Sequence, residues 1–201
     1  MKKCLLIFAL ASCVLGAAEV WKLKNIRGKS AVFDGKTVTQ KSNSGEFELY
    51  GTVEAIVCCL DSVNHITDRA ALSRCFHWVH NYLVPGGLFI FDVNTPYKFE
   101  EVYGNNAYVL EDEGVLCAWQ NCYRKKSKLC DFYVSVFTER EDGTYEREDT
   151  KQTERLYTLS ALKKMLSENG LEFLSVSADT DFSPLGERDE RYYITARAIK
   201  E

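Results

Sequence analysis

Polar side chains that could do chemistry stand at two points in this chain, each directly after a mostly apolar run. The first group follows the run VEAIVCCL and the second follows the run LFIF. Together the two groups contain Asp61, Ser62, Asn64, His65, Asp92 and Asn94. In open α/β sheets ligands bind beyond the carboxyl ends of the strands. If both runs are strands of such a sheet, these residues lie where a ligand site is expected.

The spacing of apolar residues predicts the elements that position these groups. Both runs are apolar on the two strand faces, which is typical of parallel strands covered by helices. Between them, residues 68–83 carry a helical stripe of Leu72, Phe76, Val79 and Leu83. Asp68 can cap this helix, and Pro85 with Gly86 and Gly87 ends it and turns the chain into the second strand. A strand, helix and strand of this length predict one right-handed βαβ unit and an α/β fold.

After Pro96 the sequence pattern changes to a series of strand-like runs. Four runs rich in Tyr, Phe, Val and Thr, at residues 107–111, 115–124, 129–140 and 144–155, are separated by turn residues. They predict an antiparallel meander inserted at about residues 97–157. A helix over residues 160–169 and strands over 171–179 and 191–199 are expected to complete the domain.

Composition limits the classes of function. A chain of 201 residues is long enough for one domain. Its net charge of -4 argues against nucleic acid as an obligatory partner. The eight cysteines form no CxxC pair, and His65, His77 and His80 have no zinc-ligand spacing to them. We therefore expect no metal, reduced thiols and a cytoplasmic protein.

Residues 1–18 favour a different location. Lys2 and Lys3 precede an apolar stretch that ends in small residues, as in a signal peptide, and Cys13 stands in a lipoprotein-like box. The stretch is too short for a stable membrane span. An exported or lipid-anchored protein is the alternative to the cytoplasmic location that we favour.

The order of these elements resembles the carboxyl-terminal part of a class I S-adenosylmethionine-dependent methyltransferase of the small-molecule type. The resemblance covers about residues 45–200 and rests on the segments FELYG, CLDSVNHI, PGGLFIFDVNTP and QTERLY and on the closing strand at residues 192–200. It implies a Rossmann-like sheet, S-adenosylmethionine as the cofactor and a small-molecule methyl acceptor.

The resemblance also implies roles for particular residues. Those expected beside the cofactor are Cys59, Leu60, Asp61, Ser62, Asn64 and His65. Asp61 or His65 would take a proton from the acceptor. The acceptor pocket would be lined by Asp92, Asn94, Tyr97 and Trp119.

One family feature is missing from the sequence. No glycine-rich turn followed by a helix precedes Val53, although the family binds its cofactor there. We therefore expect an atypical segment at residues 1–44, a methyltransferase domain at 45–201 that is truncated at its N-terminus, and impaired activity. A non-catalytic remnant that self-associates through the exposed edge of the Val53 strand is one alternative. An exported, antiparallel β-rich ligand-binding protein is another.

Overall fold

The computed structural model describes the backbone of residues 21–25 and 29–32 and the complete residues 52–200. The strands are β1 (Trp21–Asn25), β2 (Lys29–Val32), β3 (Val53–Cys58), β4 (Leu83–Asn94), β5 (Ala107–Asp112), β6 (Val115–Arg124), β7 (Leu129–Glu139), β8 (Tyr145–Arg155), β9 (Leu171–Ser177) and β10 (Arg191–Ala198). The helices are α1 (Ser62–His65), α2 (Arg69–Tyr82) and α3 (Leu159–Glu168), with a π-helical turn at Lys98–Tyr103.

The main sheet has the order β2-β1-β3-β4-β10-β9. Its central strands β3 and β4 are parallel, with Ile56 opposite Phe89 and Cys58 opposite Phe91. Strand β10 runs antiparallel to both β4 and β9. The predicted α/β fold with its βαβ unit is therefore confirmed, and the parallel pair contradicts the all-antiparallel alternative.

The edge of β3 differs from the prediction. We expected this strand to end the sheet with an unpaired side, but β1 pairs with it in antiparallel fashion, with Lys22 opposite Val57. Strand β2 then pairs with β1. The sequence before Val53 is weakly patterned, so its hydrogen bonding to β3 could not be predicted. The residues that resemble a signal peptide, 1–18, lie outside the described part of the chain.

Helix α2 packs its apolar stripe on the sheet, as predicted. The Asp68 side chain accepts a hydrogen bond from the amide of Ala71 at 2.7 Å and so caps the helix. The ring of Phe76 lies 5.7 Å from the rings of both Phe89 and Phe91, and all three side chains are buried. Helix α3 begins one residue earlier than predicted and buries Leu162 and Leu166 in the same core.

The residues directly after α2 belong to strand β4 and do not form a separate turn. Strand β4 begins directly at Leu83, and the pairing register with β3 shifts between Val53 and Ala55. Gly86 has a φ of 76°, which favours glycine. A Cβ on Gly87 would lie 3.0 Å from two backbone carbonyl oxygens. The two glycines therefore let the chain pass from helix to strand without an intervening loop.

The inserted meander forms a second sheet, β5-β6-β7-β8, as predicted. Its alternation places Phe132 and Val134 inward and Tyr133 outward. The inward residues pack against Phe99 and Tyr103 from the π-helical turn, which the sequence analysis had not predicted. The meander thus has its own small core beside the main sheet.

The cysteines of the described residues are free thiols. Burial raises the pKa of Cys75 to about 12, so this side chain is an uncharged core residue. None of the helices described in the chain is long and apolar enough to cross a membrane.

Candidate active site

The chain turns sharply where β3 ends. Leu60 and Asp61 both have left-handed backbone conformations, with φ values of 60° and 51°, which are unusual for residues other than glycine. This turn lets the backbone amide of Asp61 donate a hydrogen bond of 3.0 Å to the Asp92 carboxylate. The Leu60 side chain stays 48% exposed at the rim. The polar ends of β3 and β4 are thus joined, as their positions in a parallel sheet predict.

Helix α1 turns its polar side chains inward to hold the neighbouring segments. Ser62 donates a hydrogen bond of 2.7 Å to the carbonyl of Cys59. The Asn64 amide accepts from the backbone of Asn94 at 2.9 Å and donates to the carbonyl of Arg155 at 2.8 Å. Asn64 is fully buried, so it ties β3, β4 and β8 together.

Arg191, at the start of β10, is the cation of the site. Its guanidinium forms an ion pair with Asp92 and lies 3.6 Å from Asp61. Burial disfavours the charge of Arg191, but Asp61 and Asp92 raise its pKa above the ordinary value. Burial also raises the pKa of Asp92, and the guanidinium opposes this effect. Arg191 was not among the predicted site residues.

Glu154 brings a third buried carboxylate from the meander. The Asn94 amide donates to Asp61 at 2.7 Å and to Glu154 at 3.0 Å, so it bridges the two carboxylates. Burial raises the pKa of Glu154 well above its usual range, and the charge of Asp61 adds to this effect. Glu154 is part of the QTERLY segment that carried the family resemblance, which was the available signal.

His65 completes the group. Its Nε2 atom is 3.7 Å from a carboxylate oxygen of Glu154 and has no hydrogen-bond partner. Burial lowers the pKa of His65, against the effect of Asp61, and so favours the neutral imidazole. One potential ligand atom from each of Asp61, His65 and Glu154 lies within 4.8 Å of the other two. The arrangement can therefore accept a proton or donate lone pairs to a cation.

The predicted acceptor-pocket residues have different positions. Asp92 and Asn94 lie in the polar cluster, but Tyr97 is at the start of the π-helical turn and is half-buried. Trp119 belongs to the aromatic core of the meander, 6.0 Å from the ring of Tyr103. The Tyr103 hydroxyl lies 3.4 Å from the Asn94 amide, so Tyr103 joins the aromatic core to the site. The sequence analysis did not identify Tyr103.

Comparisons with known proteins show that this fold is similar to that of methyltransferases. No protein-family model matches the chain. A crystal structure of an S-adenosylmethionine-dependent methyltransferase from Clostridium acetobutylicum ATCC 824 superimposes with a TM-score of 0.72 and 31% identity, covering 78% of this chain and 62% of that chain. The described part of the chain thus has the fold of an S-adenosylmethionine-dependent methyltransferase.

Two curated relatives are also named as methyltransferases. A Geobacillus sp. (strain WCH70) protein named "Putative methyltransferase" is 26% identical over 78% of this chain and 64% of its own length. The Bacillus subtilis (strain 168) protein of that name, YqeM, is 27% identical over 75% of this chain and 60% of its own length. The chain thus spans less than two thirds of the length of these relatives. The resemblance deduced from the sequence, to part of a methyltransferase, is confirmed.

Proposed function

We propose that residues 52–200 form the acceptor side of a site for methyl transfer from S-adenosylmethionine to a small molecule. The observation that supports this most is the convergence of Asp61, Asp92 and Asn94 at the carboxyl ends of the parallel strands β3 and β4. Doubly wound sheets bind ligands at that position, and the similar solved structure from Clostridium acetobutylicum is S-adenosylmethionine-dependent.

The residues at the end of β3 suit a positively charged cofactor. Asp61 and Glu154 place buried carboxylates beside the rim at which Leu60 is exposed. S-adenosylmethionine would supply an electrophilic methyl group on a sulfonium, whose positive charge these carboxylates would stabilise. Residues 59–65 would line the methionine portion, as the resemblance implies.

The protein's own side chains would then align the acceptor and remove its proton. Displacement at the methyl carbon needs an in-line arrangement, which Asp92 and Asn94 would support from the end of β4. His65 is the better candidate for the base, since its neutral imidazole has an unpaired Nε2 atom. The Asp61 carboxylate would stabilise the imidazolium that forms.

We also propose that this chain alone binds S-adenosylmethionine weakly. The glycine-rich cofactor motif is absent before Val53, and β1 pairs antiparallel with β3, whereas adjacent strands in this part of a doubly wound sheet are parallel. Calorimetric titration of the purified chain with S-adenosylmethionine should therefore give a dissociation constant well above the low-micromolar range. Low-micromolar binding would refute the impairment.

A chimera tests the catalytic role directly. Residues 1–52 would be replaced by the corresponding amino-terminal part of the Clostridium acetobutylicum methyltransferase. We expect this protein to bind S-adenosylmethionine and to release S-adenosylhomocysteine when supplied with a panel of small amines and alcohols. His65→Gln should reduce turnover, whereas His77→Gln, on an exposed face of α2, should not. A folded chimera that binds cofactor but turns over equally with His65→Gln would remove His65 from the mechanism.

A non-catalytic role as a partner-binding module is the second candidate, and the missing glycine motif favours it. Self-association through the β3 edge has less support, because β1 already occupies that edge. Size-exclusion chromatography with light scattering distinguishes the two cases. A concentration-independent monomer would count against a self-associating remnant.

A further inference from the structure

Three side chains from distant segments form a group with the spacing of metal ligands. Asp61 follows β3, His65 ends α1 and Glu154 lies near the end of β8. Their ligand atoms all lie within 4.8 Å of one another. Asp61 and Glu154 are only 7% and 4% exposed, so this is not a cluster of surface carboxylates.

Two buried polar atoms at this group have no hydrogen-bond partner. The Nε2 atom of His65 and the Oδ1 atom of Asn94 are both buried and have no hydrogen-bond partner. Asn94 is completely buried, and its amide nitrogen already contacts both Asp61 and Glu154. Buried acceptor atoms without a donor are costly. A cation among these atoms would satisfy their lone pairs.

The charges of the site are also unbalanced. Three buried carboxylates, Asp61, Asp92 and Glu154, are arranged around Arg191, which pairs directly with Asp92. The nearby cation Lys98 is 3.7 Å from the partly exposed Glu190. The guanidinium also lies 3.6 Å from Asp61, so Arg191 is shared by two carboxylates in a region shielded from water.

We propose that Asp61, His65 and Glu154 bind a divalent transition-metal ion. One imidazole and two carboxylates suit ions such as Mn²⁺, Fe²⁺ or Zn²⁺ better than Mg²⁺ or Ca²⁺, which prefer oxygen ligands alone. Bonds of about 2.0–2.2 Å bring two ligands of one ion to about 3–4.4 Å apart. The present spacing requires only a small contraction of the three side chains.

Metal binding would change the proposed methyl transfer, because Asp61 and Glu154 would then hold the ion and not the sulfonium, and because His65 would have a different role. An imidazole that coordinates a metal through Nε2 cannot take a proton there, and the ion would instead lower the pKa of a bound acceptor hydroxyl. This consequence rests on the proposed function, but the binding itself does not, because it can be measured without S-adenosylmethionine or an acceptor.

The test uses the purified full chain after treatment with a chelator. Titration with Co²⁺ should produce visible d–d absorption that saturates at one ion per chain, and calorimetry with Mn²⁺ should give the same stoichiometry. Intense thiolate-to-cobalt bands in the near ultraviolet would instead mark binding to cysteines and would overturn the assignment. Saturation without any d–d absorption, or no binding of either ion, would also overturn it.

Substitutions identify the ligands. His65→Gln and Glu154→Gln should each weaken Mn²⁺ binding at least about tenfold, since even residues around the ligands contribute on that scale. His77→Gln is the matched control and should bind as the unaltered chain does. Circular dichroism confirms that each variant is folded. Unchanged Mn²⁺ affinity in a folded His65 or Glu154 variant would refute the site. If both variants unfold, the stoichiometry and cobalt spectrum of the unaltered chain decide it.

Discussion

Replacing Arg191 by Met tests how the buried charges hold the site together. The guanidinium pairs with Asp92 and lies 3.6 Å from Asp61, and its side chain is 23% exposed. Removing one partner of a buried ion pair leaves an uncompensated charge, which costs about 3–5 kcal/mol. For a chain of this size, about 2–4 °C of melting temperature corresponds to 1 kcal/mol. We therefore expect the melting temperature of Arg191→Met to fall by about 6–20 °C.

Strand β10 offers a matched control. Arg197 forms an ion pair of 2.7 Å with Glu172, but both side chains are 46% exposed. An exposed pair contributes about 0–1 kcal/mol, so Arg197→Met should change the melting temperature little. Urea denaturation of both variants measures the difference in unfolding free energy at constant temperature. Adding Asp92→Asn to Arg191→Met should recover part of the loss, because the orphaned charge is then removed.

Two results would contradict this reasoning. If Arg191→Met and Arg197→Met lost similar amounts of stability, burial would not distinguish their ion pairs. If Asp92→Asn added a further loss to Arg191→Met, the cost would come from packing or from the hydrogen bond to Asp61, not from the unpaired carboxylate.

Three further predictions concern the core, the meander and the helix-to-strand passage. Phe76→Ala should cost about 3–5 kcal/mol in urea denaturation, since it removes a fully buried ring, and a cost below 1 kcal/mol would contradict the packing. A hydrogen bond from Arg124 holds the pKa of Asp131 at about 2, below its ordinary 3.8. The stability that this hydrogen bond contributes is present above about pH 4 and is lost as the pH falls towards 2. Asp131→Asn should therefore flatten the acid limb of a plot of unfolding free energy against pH. An unchanged acid limb would refute the assignment. Gly87→Ala should destabilise by about 1–3 kcal/mol because its Cβ would lie 3.0 Å from two carbonyl oxygens, and a neutral result would show that the strand can shift.

Local patterns predicted most of the fold. The helical stripe that contains Phe76 and the cap at Asp68 predicted both ends of α2 to within one residue. Alternating residues and turn signals located β5 to β8. These features are predictable because neighbouring residues alone determine whether one face of a helix or strand can be buried. The pairing of β1 with β3 was missed because its sequence has no such pattern.

The candidate site was predicted only in part. Asp61 and Asp92 were predicted to lie at the same edge of the sheet, and they do, because both are at the carboxyl ends of parallel strands. The partners that give these residues their charge environment, Glu154 and Arg191, come from the meander and from β10. No periodicity connects residues on elements so far apart in the chain.

The sequence by itself therefore determined the βαβ unit, the inserted meander and the polar strand ends, since these depend on short-range spacing. Only the tertiary structure brought Glu154 to Asn94 across 60 positions and Arg191 to Asp92 across 99 positions. The packing of the meander and of β10 on the central strands decides which buried carboxylates have a counter-charge. That same packing brings His65 and Glu154 to Asp61, which shares Arg191 with Asp92, and this convergence of ligand atoms is the physical basis of the proposed cation site.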